Sequence, residues 1–328
     1  MEFNERIVVN DGGNIDTLRR RYPDGLHFVV GDTHGQGATL KVLMDTIRFD
    51  PEKDHVYFVG DYNEGGDVTA LLEYMALYYQ ADYSRPGFHM IRGNHEWELW
   101  PVYELANLPD VLVLRWKQMT YYIVHAGMVA AAFDLINADL EKNPEQTLFA
   151  YRLDSALVSR DGFLRQMIWS RYGLYSQRTR WGVWPREEKL AGSRACILHG
   201  HSPYCFFVEA DRFSYGEENL FWKKQHIFFS EDLQSFNLDA NVKGRYANGE
   251  CHRALSCVCL EMIEEIAAQN QGHLRVDAVK HAPNFVFSAD LSYHLPAMQR
   301  GNIETITKAA PAARRIAADD YGHLMIVD

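Results

Sequence analysis

The chain has 328 residues, a hydrophobic content of 47% and a formal net charge of −11 at pH 7. This length and hydrophobic content are sufficient for one large domain with an extension. The negative charge argues against nonspecific binding to nucleic acid or anionic lipid, since both require excess positive charge. It does not exclude an anionic substrate, because a few arginines or bound metal ions can reverse the potential inside a cleft.

The sequence also carries signals of cellular location. The first residues, MEFNERIVVNDGGN, include acidic side chains and lack the apolar segment of a secretory signal. No apolar run approaches the ~20 residues needed to cross a bilayer. The five cysteines have no framework spacing and are typical of reduced thiols. We therefore expect a cytoplasmic protein without a membrane partner, and the oligomeric state is open.

Strand and helix patterns alternate in the first part of the chain. Apolar runs over Leu26–Val30, His55–Val59 and Phe88–Ile91 predict three strands. Amphipathic stretches over Ala38–Ile47 and Val68–Tyr79 predict helices between them. This alternation is typical of βαβ units that form a buried sheet.

The later part of the chain predicts further strands and a long helical region. Helical patterns extend from about residue 131 to 168, and apolar runs predict strands at 111–114, 121–124, 196–198, 227–229 and 255–260. An aromatic-rich insertion over about 204–236 is either a flap beside a cleft or a hairpin that packs on the core or on a second subunit. We predict a catalytic domain over 1–265 and a C-terminal extension over 266–328 whose role is unknown.

Five polar residues lie at or just after the ends of predicted strands: Asp32, Asp61, Asn94, His125 and His201. In layered α/β folds the loops at this edge converge on one crevice, where ligands bind. Polar residues that simply begin loops explain one or two such positions, but explain five of this chemical kind poorly. Carboxylate, imidazole and amide ligands without thiolate suit Mn, Fe, Zn or Mg. A site for two such ions requires a bridging carboxylate.

Five short motifs support the same interpretation. They read GDTHG at 31–35, GDYNEGG at 60–66, GNHE at 93–96, HAG at 125–127 and GHS at 200–202. In this order and spacing they resemble the phosphoprotein phosphatase branch of the calcineurin-like metallophosphoesterases, and most closely its bacterial and bacteriophage-type members. The resemblance covers roughly residues 26 to 260. It implies an α/β (α+β) fold, the four-layer αββα sandwich with two mixed sheets flanked by helices.

The resemblance also implies two divalent metal ions, with manganese preferred and Fe, Zn or Mg as alternatives. The ligands that it implies are Asp32, His34, Asp61, Asn94, His125 and His201. Asp61 would bridge the two ions, and His201 would share one ion with Asp32 and His34. A hydroxide that bridges the ions would attack phosphorus in line.

Catalytic and phosphate-binding residues follow from the same resemblance. His95 would protonate the leaving group as a general acid, and Glu64 would pair with it where the family has Asp. Arg92 and Arg171 would bind phosphate oxygens through their guanidinium groups, together with Asn94. We expect hydrolysis of phosphate monoesters.

One departure from the family pattern concerns substrate binding. Gly65 replaces a family arginine that binds phosphate, and Arg178 or Arg180 could supply a substitute cation. The expected substrate is a phosphoprotein, with phosphoserine or phosphothreonine favoured. The alternative within the enzyme class is a phosphorylated small molecule, as in a dinucleoside polyphosphate or other nucleotide phosphoesterase. The alternative of another class is a catalytically weak metal-binding scaffold protein.

Two further groups of ligand-type residues are interpreted as structural. Cys251, His252, Cys257 and Cys259 could suggest zinc, but the last two lie in an apolar strand pattern where free cysteine is common. His199 is two residues before His201 and would face the opposite side of a continued strand. We expect it in the core or behind the ligands.

Overall fold

The computed structural model of the chain describes residues 9–10, 15–98, 105–158, 164–169, 194–202, 212–214, 220–224, 227–230, 235–240, 242, 254–270, 286–290, 298–308, 312–321 and 323–327. Several predicted residues lie outside these ranges, so the predictions for them are untested: Arg171, Arg178, Arg180, Cys251 and His252.

The described residues form strands and helices that alternate in the first part of the chain. The strands are β1 (Val9–Asn10), β2 (His27–Val30), β3 (His55–Phe58), β4 (Gly87–Met90), β5 (Val111–Trp116), β6 (Met119–Val124), β7 (Leu148–Leu153), β8 (Ala195–His199), β9 (Arg212–Ser214), β10 (Leu220–Lys224), β11 (Ile227–Ser230), β12 (Ser235–Asn237), β13 (Ala254–Cys259), β14 (Val286–Asp290), β15 (Arg314–Ala318) and β16 (Leu324–Val327). The helices are Ile15–Arg21, Gly37–Ile47, Val68–Ala76, Asn94–Glu98, Ala130–Lys142, Ser155–Val158, Arg165–Trp169, Leu260–Gln269 and Glu304–Lys308.

These strands form two mixed sheets. The first has the order β1-β14-β13-β2-β3-β4, and the second has the order β16-β15-β7-β5-β6-β8-β12-β11-β10-β9. In the first sheet β2, β3 and β4 are parallel, whereas β13 and β14 are antiparallel to their neighbours. The carboxyl ends of the three parallel strands therefore lie together, and the loops that follow them lie side by side.

The second sheet is covered on both faces along β5. Along β5, Leu112 and Leu114 belong to the core that includes the first sheet, whereas Val111 and Val113 belong to a second core. That second core includes Phe133 of the helix Ala130–Lys142. Because alternate strand residues face opposite sides, the second sheet lies between the first sheet and this helix. The predicted sandwich with two mixed sheets is confirmed.

The predicted helical region over 131–168 is partly wrong. The helix ends at Lys142, and β7 follows it at Leu148–Leu153. This strand pairs with β5 on one side and with β15 on the other. The burial that stabilises this strand comes from partners far away in sequence, so the local pattern does not reveal it.

The residues after 265 contribute strands to both sheets. β14 lies between β1 and β13 in the first sheet, and β15 and β16 form an edge of the second. Within 204–236, β9 to β11 and most of β12 continue the opposite edge of the second sheet. The division into domains stays a prediction. No helix in the described ranges is long and apolar enough to span a membrane.

Candidate metal centre and active site

The candidate site lies where β2, β3 and β4 end. Asp32, Asp61 and Asn94 follow these strands, and each is at most 3% exposed. Three residues of the site have a left-handed backbone, with φ of 43° at His34, 55° at Asp61 and 66° at His201. This conformation costs free energy in residues other than glycine and often occurs at functional sites. The loops are therefore held in shapes that their own residues disfavour.

One group of side chains surrounds the amide oxygen of Asn94. The Asn94 Oδ1 atom lies 2.7 Å from His201 Nδ1 and 2.8 Å from His125 Nε2. The two ring nitrogens are 3.2 Å apart, and His125 Nε2 is 3.3 Å from Asp61 Oδ1. One ligand atom each from Asp61, His125 and His201 lies within 4.8 Å of the others. These atoms could bind one metal ion.

A second group lies on the other side of Asp61. Its Oδ2 atom is 3.7 Å from His34 Nε2 and 3.6 Å from His95 Nε2. One ligand atom from each of these three residues lies within 4.8 Å of the others. Because its two carboxylate oxygens face different groups, Asp61 is positioned as the residue shared by two metal sites.

The donor chemistry of the first group fits a cation. His125 Nδ1 is 2.8 Å from the backbone carbonyl of Val59, which can only accept a hydrogen bond. The proton is therefore on Nδ1, and Nε2 of the neutral ring presents a lone pair to Asn94 Oδ1 and Asp61 Oδ1. Burial lowers the pKa of His125 well below its usual value, so the ring is neutral at pH 7. Acceptors that face acceptors repel unless a cation lies between them.

The same argument applies to the second group. His34 Nδ1 is 3.0 Å from the carbonyl of Asn63, which leaves Nε2 as the acceptor that faces Asp61. Asp32 is buried, and its Oδ1 atom has no hydrogen-bond partner in the described part of the chain. Burial, followed by the charges of Asp239 and Asp61, raises the pKa of Asp32 well above its usual value. A bound cation would stabilise the ionised form. The residues present therefore fit divalent metals, whose identity is open.

The predicted grouping of His201 needs a correction. The sequence interpretation assigned its side chain to the same ion as Asp32 and His34. In the structure the ring lies with Asn94 and His125, whereas the backbone N–H of His201 donates to Asp32 Oδ2 at 2.9 Å. Gly200 makes this possible, because a Cβ there would lie 1.8 Å from Asp32 Oδ1. His201 thus contacts Asp32 through its backbone and a different ligand group through its ring.

His95 and Glu64 lie together beside the centre. His95 Nδ1 is 3.1 Å from Glu64 Oε2, and its Nε2 faces Asp61 Oδ2. His95 is mostly buried, whereas 40% of the Glu64 side chain is exposed. The pair that the sequence predicted is present, and its catalytic role stays a prediction.

Arg92 is anchored by protein groups. Its Nε and Nη2 atoms donate to the two carboxylate oxygens of Asp110 at 2.9 and 2.6 Å, and Nη1 donates to the Ala106 carbonyl at 3.0 Å. Its guanidinium carbon also lies 4.0 Å from the centre of the Trp97 ring. These contacts fix the guanidinium, and its phosphate-binding role stays a prediction. At Gly65 the backbone has φ of 110°, a conformation that a replacing side chain would strain.

Glu96 has a role that the sequence interpretation missed. Its buried carboxylate accepts hydrogen bonds from the backbone N–H groups of Asp61, Tyr62, Asn63 and Gly93 at 2.8–3.2 Å. These groups belong to the loops after β3 and β4. Glu96 therefore joins the loop that carries Asp61 to the loop that carries Asn94. Its place in GNHE was the signal, but the sequence does not show what it binds.

Asp239, which follows β12, is a second residue whose part in the site the sequence interpretation did not assign. It is 3% exposed, and its charge is the largest cause after burial of the raised pKa of Asp32. Neighbouring Asn237 donates through its side chain to the Ser202 carbonyl at 2.6 Å, directly after His201. This loop therefore adds negative charge to the centre and supports one of its ligand loops. The predicted core position of His199 agrees with its full burial.

Cys257 and Cys259 are free thiols that are buried in β13. Burial raises the pKa of both thiols above the usual value. This agrees with packing in the core, although the zinc alternative also involves residues outside the described ranges.

A comparison with known proteins identifies the family to which the chain belongs. A family profile described as calcineurin-like phosphoesterase matches residues 28–227. A symmetrical bis(5'-nucleosyl)-tetraphosphatase of Wigglesworthia glossinidia brevipalpis is 26% identical over 31% of this chain and 45% of its own length. The enzyme of the same name from Shewanella frigidimarina is 28% identical over 40% of this chain and 56% of its own length. The chain thus matches about half the length of these curated relatives.

Solved structures give a further comparison. A protein serine/threonine phosphatase from Saccharomyces cerevisiae with similarity to human phosphatase PP5 aligns with 86% of this chain and 84% of its own. Its sequence identity is 14% and its TM-score is 0.45.

Proposed function

We propose that this chain, which belongs to the calcineurin-like phosphoesterase family, is a metal-dependent phosphoester hydrolase with Asp61 at the centre of its reaction site. The two carboxylate oxygens of this residue face two different ligand groups. Two divalent cations held by those groups would neutralise substrate charge and lower the pKa of a water molecule.

One observation carries this assignment. In a buried site, the lone pair of His125 Nε2 lies 2.8 Å from Asn94 Oδ1 and 3.3 Å from Asp61 Oδ1. His201 Nδ1, at 3.2 Å, can supply one N–H, but it lies closer to Asn94 Oδ1, and the Asp61 carboxylate still faces the His125 lone pair. This arrangement costs free energy without a cation, and it is the arrangement that a metal site requires.

The residues beside the ligands suggest how proton transfer occurs. His95 Nδ1 lies 3.1 Å from the Glu64 carboxylate, which orients the ring. Its Nε2 atom lies near Asp61, on the side of the metal groups. We assign His95 as the group that donates a proton to the leaving oxygen. Glu64 then acts through His95 as a positioning residue.

The substrate that we propose is a dinucleoside polyphosphate or related nucleotide. The curated relatives are named as symmetrical bis(5'-nucleosyl)-tetraphosphatases, which supports this choice. At Gly65 the chain also lacks the phosphate-binding arginine that the sequence resemblance implies, which favours a substrate other than a simple monoester. Hydrolysis of phosphoserine or phosphothreonine in proteins, which the sequence resemblance favoured, stays the second candidate.

A substrate panel tests these proposals. The full chain with added Mn²⁺ should hydrolyse para-nitrophenyl phosphate, and it should hydrolyse diadenosine tetraphosphate with a higher kcat/KM than phosphoserine or phosphothreonine peptides. The Asp61→Asn variant is the matched control, because it keeps the shape of the side chain and removes its charge. Equal rates of hydrolysis for the wild type and Asp61→Asn would support the alternative of a metal-binding scaffold protein. Faster turnover of the phosphopeptides would support the protein phosphatase.

A further inference from the structure

A cleft, which we call the histidine cleft, opens at the amino ends of β2 and β3 in the first sheet, opposite the metal ligands. It is a cavity of about 890 Å³ that is lined by the rings of His27, His55, Tyr57, Tyr83 and Trp116. His27 and His55 are the first residues of β2 and β3, whereas Asp32 and Asp61 follow the ends of these strands. At ~3.3 Å per strand residue, the cleft is roughly 15 Å from the metal ligands. Its volume is in the range of small-molecule sites.

The rings in this cleft form a stacked wall. In the parallel sheet His27 pairs with His55, which places the two rings side by side on one face. Their centres are 4.9 Å apart and their planes differ by 2°. The Trp116 ring lies 4.7 Å from the His27 ring. These rings, with Tyr57 and Tyr83, give the cleft an aromatic lining against which a flat ligand ring can pack edge to face.

The hydrogen bonds behind the wall determine which nitrogen atoms carry protons. His89 Nδ1 lies 3.3 Å from the Gln80 carbonyl, so it carries the proton and His89 Nε2 is an acceptor. His55 Nδ1 lies 3.0 Å from this acceptor and therefore carries a proton as well. Burial lowers the pKa of His55 to about 4 and that of His89 to about 3, so both rings are neutral at pH 7. The Nε2 atom of His55 is consequently an acceptor.

His27 is held by a carboxylate. Its Nδ1 atom is 2.9 Å from the Glu261 carboxylate, to which it must donate. His55 Nε2 has no hydrogen-bond partner among the described residues. The wall of the cleft therefore presents one acceptor without a donor.

The rim of the cleft carries negative charge. Asp82 and Glu145 line it together with neutral polar residues, and no lysine or arginine does so in the described part of the chain. The Ser84 hydroxyl donates to Asp82 at 2.7 Å and holds the pKa of that carboxyl below its usual value. Both charges disfavour an anionic ligand.

We propose that the histidine cleft binds a neutral planar heteroaromatic ligand with an amino group, of the class of an aminopurine nucleoside. The aromatic lining of the cleft would pack against the ligand ring, and His55 Nε2 would accept a hydrogen bond from its amino group. The acidic rim selects the nucleoside over its phosphates. This proposal is independent of the reaction proposed above, since no metal ligand lines the cleft among the residues described.

Calorimetric titration of the metal-loaded full chain tests the proposal, with adenosine and purine riboside as probes. Purine riboside lacks the 6-amino group, so it should bind about three- to tenfold more weakly than adenosine, as expected for one lost hydrogen bond. His55→Phe keeps a flat ring but removes the acceptor. It should weaken adenosine binding to the level of purine riboside and leave purine riboside binding unchanged. His323→Phe, at an exposed histidine outside the cleft, is the matched control.

A second variant keeps the test decisive if His55→Phe folds poorly in a thermal melt. Glu145 is exposed, so Glu145→Lys should fold, and it should improve the binding of adenosine monophosphate relative to adenosine. Asp61→Asn should leave adenosine binding unchanged. Absence of adenosine binding, equal binding of the two nucleosides to the wild type, or loss of binding in Asp61→Asn would each overturn the proposal.

Discussion

The two ends of the parallel strands in the first sheet are both rich in histidine, yet they differ in chemistry. At the edge where β2 and β3 end, imidazole nitrogens converge with carboxylate oxygens on shared points. At the edge where these strands begin, the histidine rings stack on one another. Among the described residues, the groups that could hold a metal include the first set and not the second.

The difference follows from what accompanies the histidines. His34 and His125 have Nδ1 on a backbone carbonyl, so Nε2 faces the Asp61 carboxylate. His55 instead contacts another imidazole, and His27 directs its Nδ1 to Glu261 behind the wall. Histidine content alone therefore does not predict a metal site. The decisive features are the carbonyl that fixes each tautomer and the carboxylate that the other nitrogen faces.

The largest effect is expected from Asp61→Asn. It removes the one carboxylate that both ligand groups share, so elemental analysis should show loss of at least one metal ion. Hydrolysis of para-nitrophenyl phosphate should fall by at least about 10³-fold, since both metal functions depend on this residue. A variant that kept both ions and substantial activity would contradict the bridging role.

His95→Asn should separate proton transfer from metal binding. We expect both ions to be retained and kcat to fall by about 10²–10⁴-fold, the usual contribution of a general acid. The loss should be smaller for nitrophenyl esters than for alkyl esters, because a good leaving group needs little protonation. Equal losses for the two esters would argue against this role, because His95 would then act by position alone. Loss of metal would place His95 among the ligands.

Glu96→Gln tests a positioning residue. The substitution keeps the size of the side chain, but its amide nitrogen cannot accept the hydrogen bonds of the two loops. We expect metal affinity to fall by about 10- to 100-fold, as for other residues that support ligands. Raised Mn²⁺ should restore most of the kcat. If kcat stayed low at saturating metal, Glu96 would have a role beyond ligand position.

The sequence predicted much of this site because its signals are local. Asp32, Asp61 and Asn94 follow short apolar runs, and parallel strands bring their ends to one edge. These three predictions required only strand ends and residue chemistry, whereas the pair of His95 and Glu64 followed from the family resemblance.

The remaining features depend on backbone conformation and on distant partners. His201 has φ of 66°, which directs its ring and its N–H to different groups, and no sequence pattern indicates this. Glu96 binds N–H groups of a loop more than 30 residues before it. The histidine cleft depends on the register that pairs His27 with His55. Such features arise from tertiary packing, which overrides local preference.

The smallest expected effect concerns the stability of the folded chain in acid, and it depends on His55 in the histidine cleft. The pKa of His55 is lowered from 6.5 to about 4 by burial and by the neighbouring His27, while the charge of Glu261 opposes this shift. The unfolded chain therefore binds a proton below pH 6.5 that the folded chain does not bind until about pH 4. The stability that neutral His55 contributes is complete above pH 6.5 and is lost as the pH falls through this range.

Thermal melts of the wild type and His55→Phe in chelator, between pH 7.5 and pH 4, measure this contribution. As the pH falls, the wild type should lose about 1–3 °C more than the variant, given the usual relation between stability and melting temperature. The difference in melting temperature should be smaller than the pKa shift of His55 alone implies. His89 also has a lowered pKa, and part of that shift is caused by His55. The chelator is needed because protonation of metal ligands would otherwise dominate the melt. Parallel curves for the two proteins would show that His55 is charged in the fold, and its Nε2 atom would then be a donor.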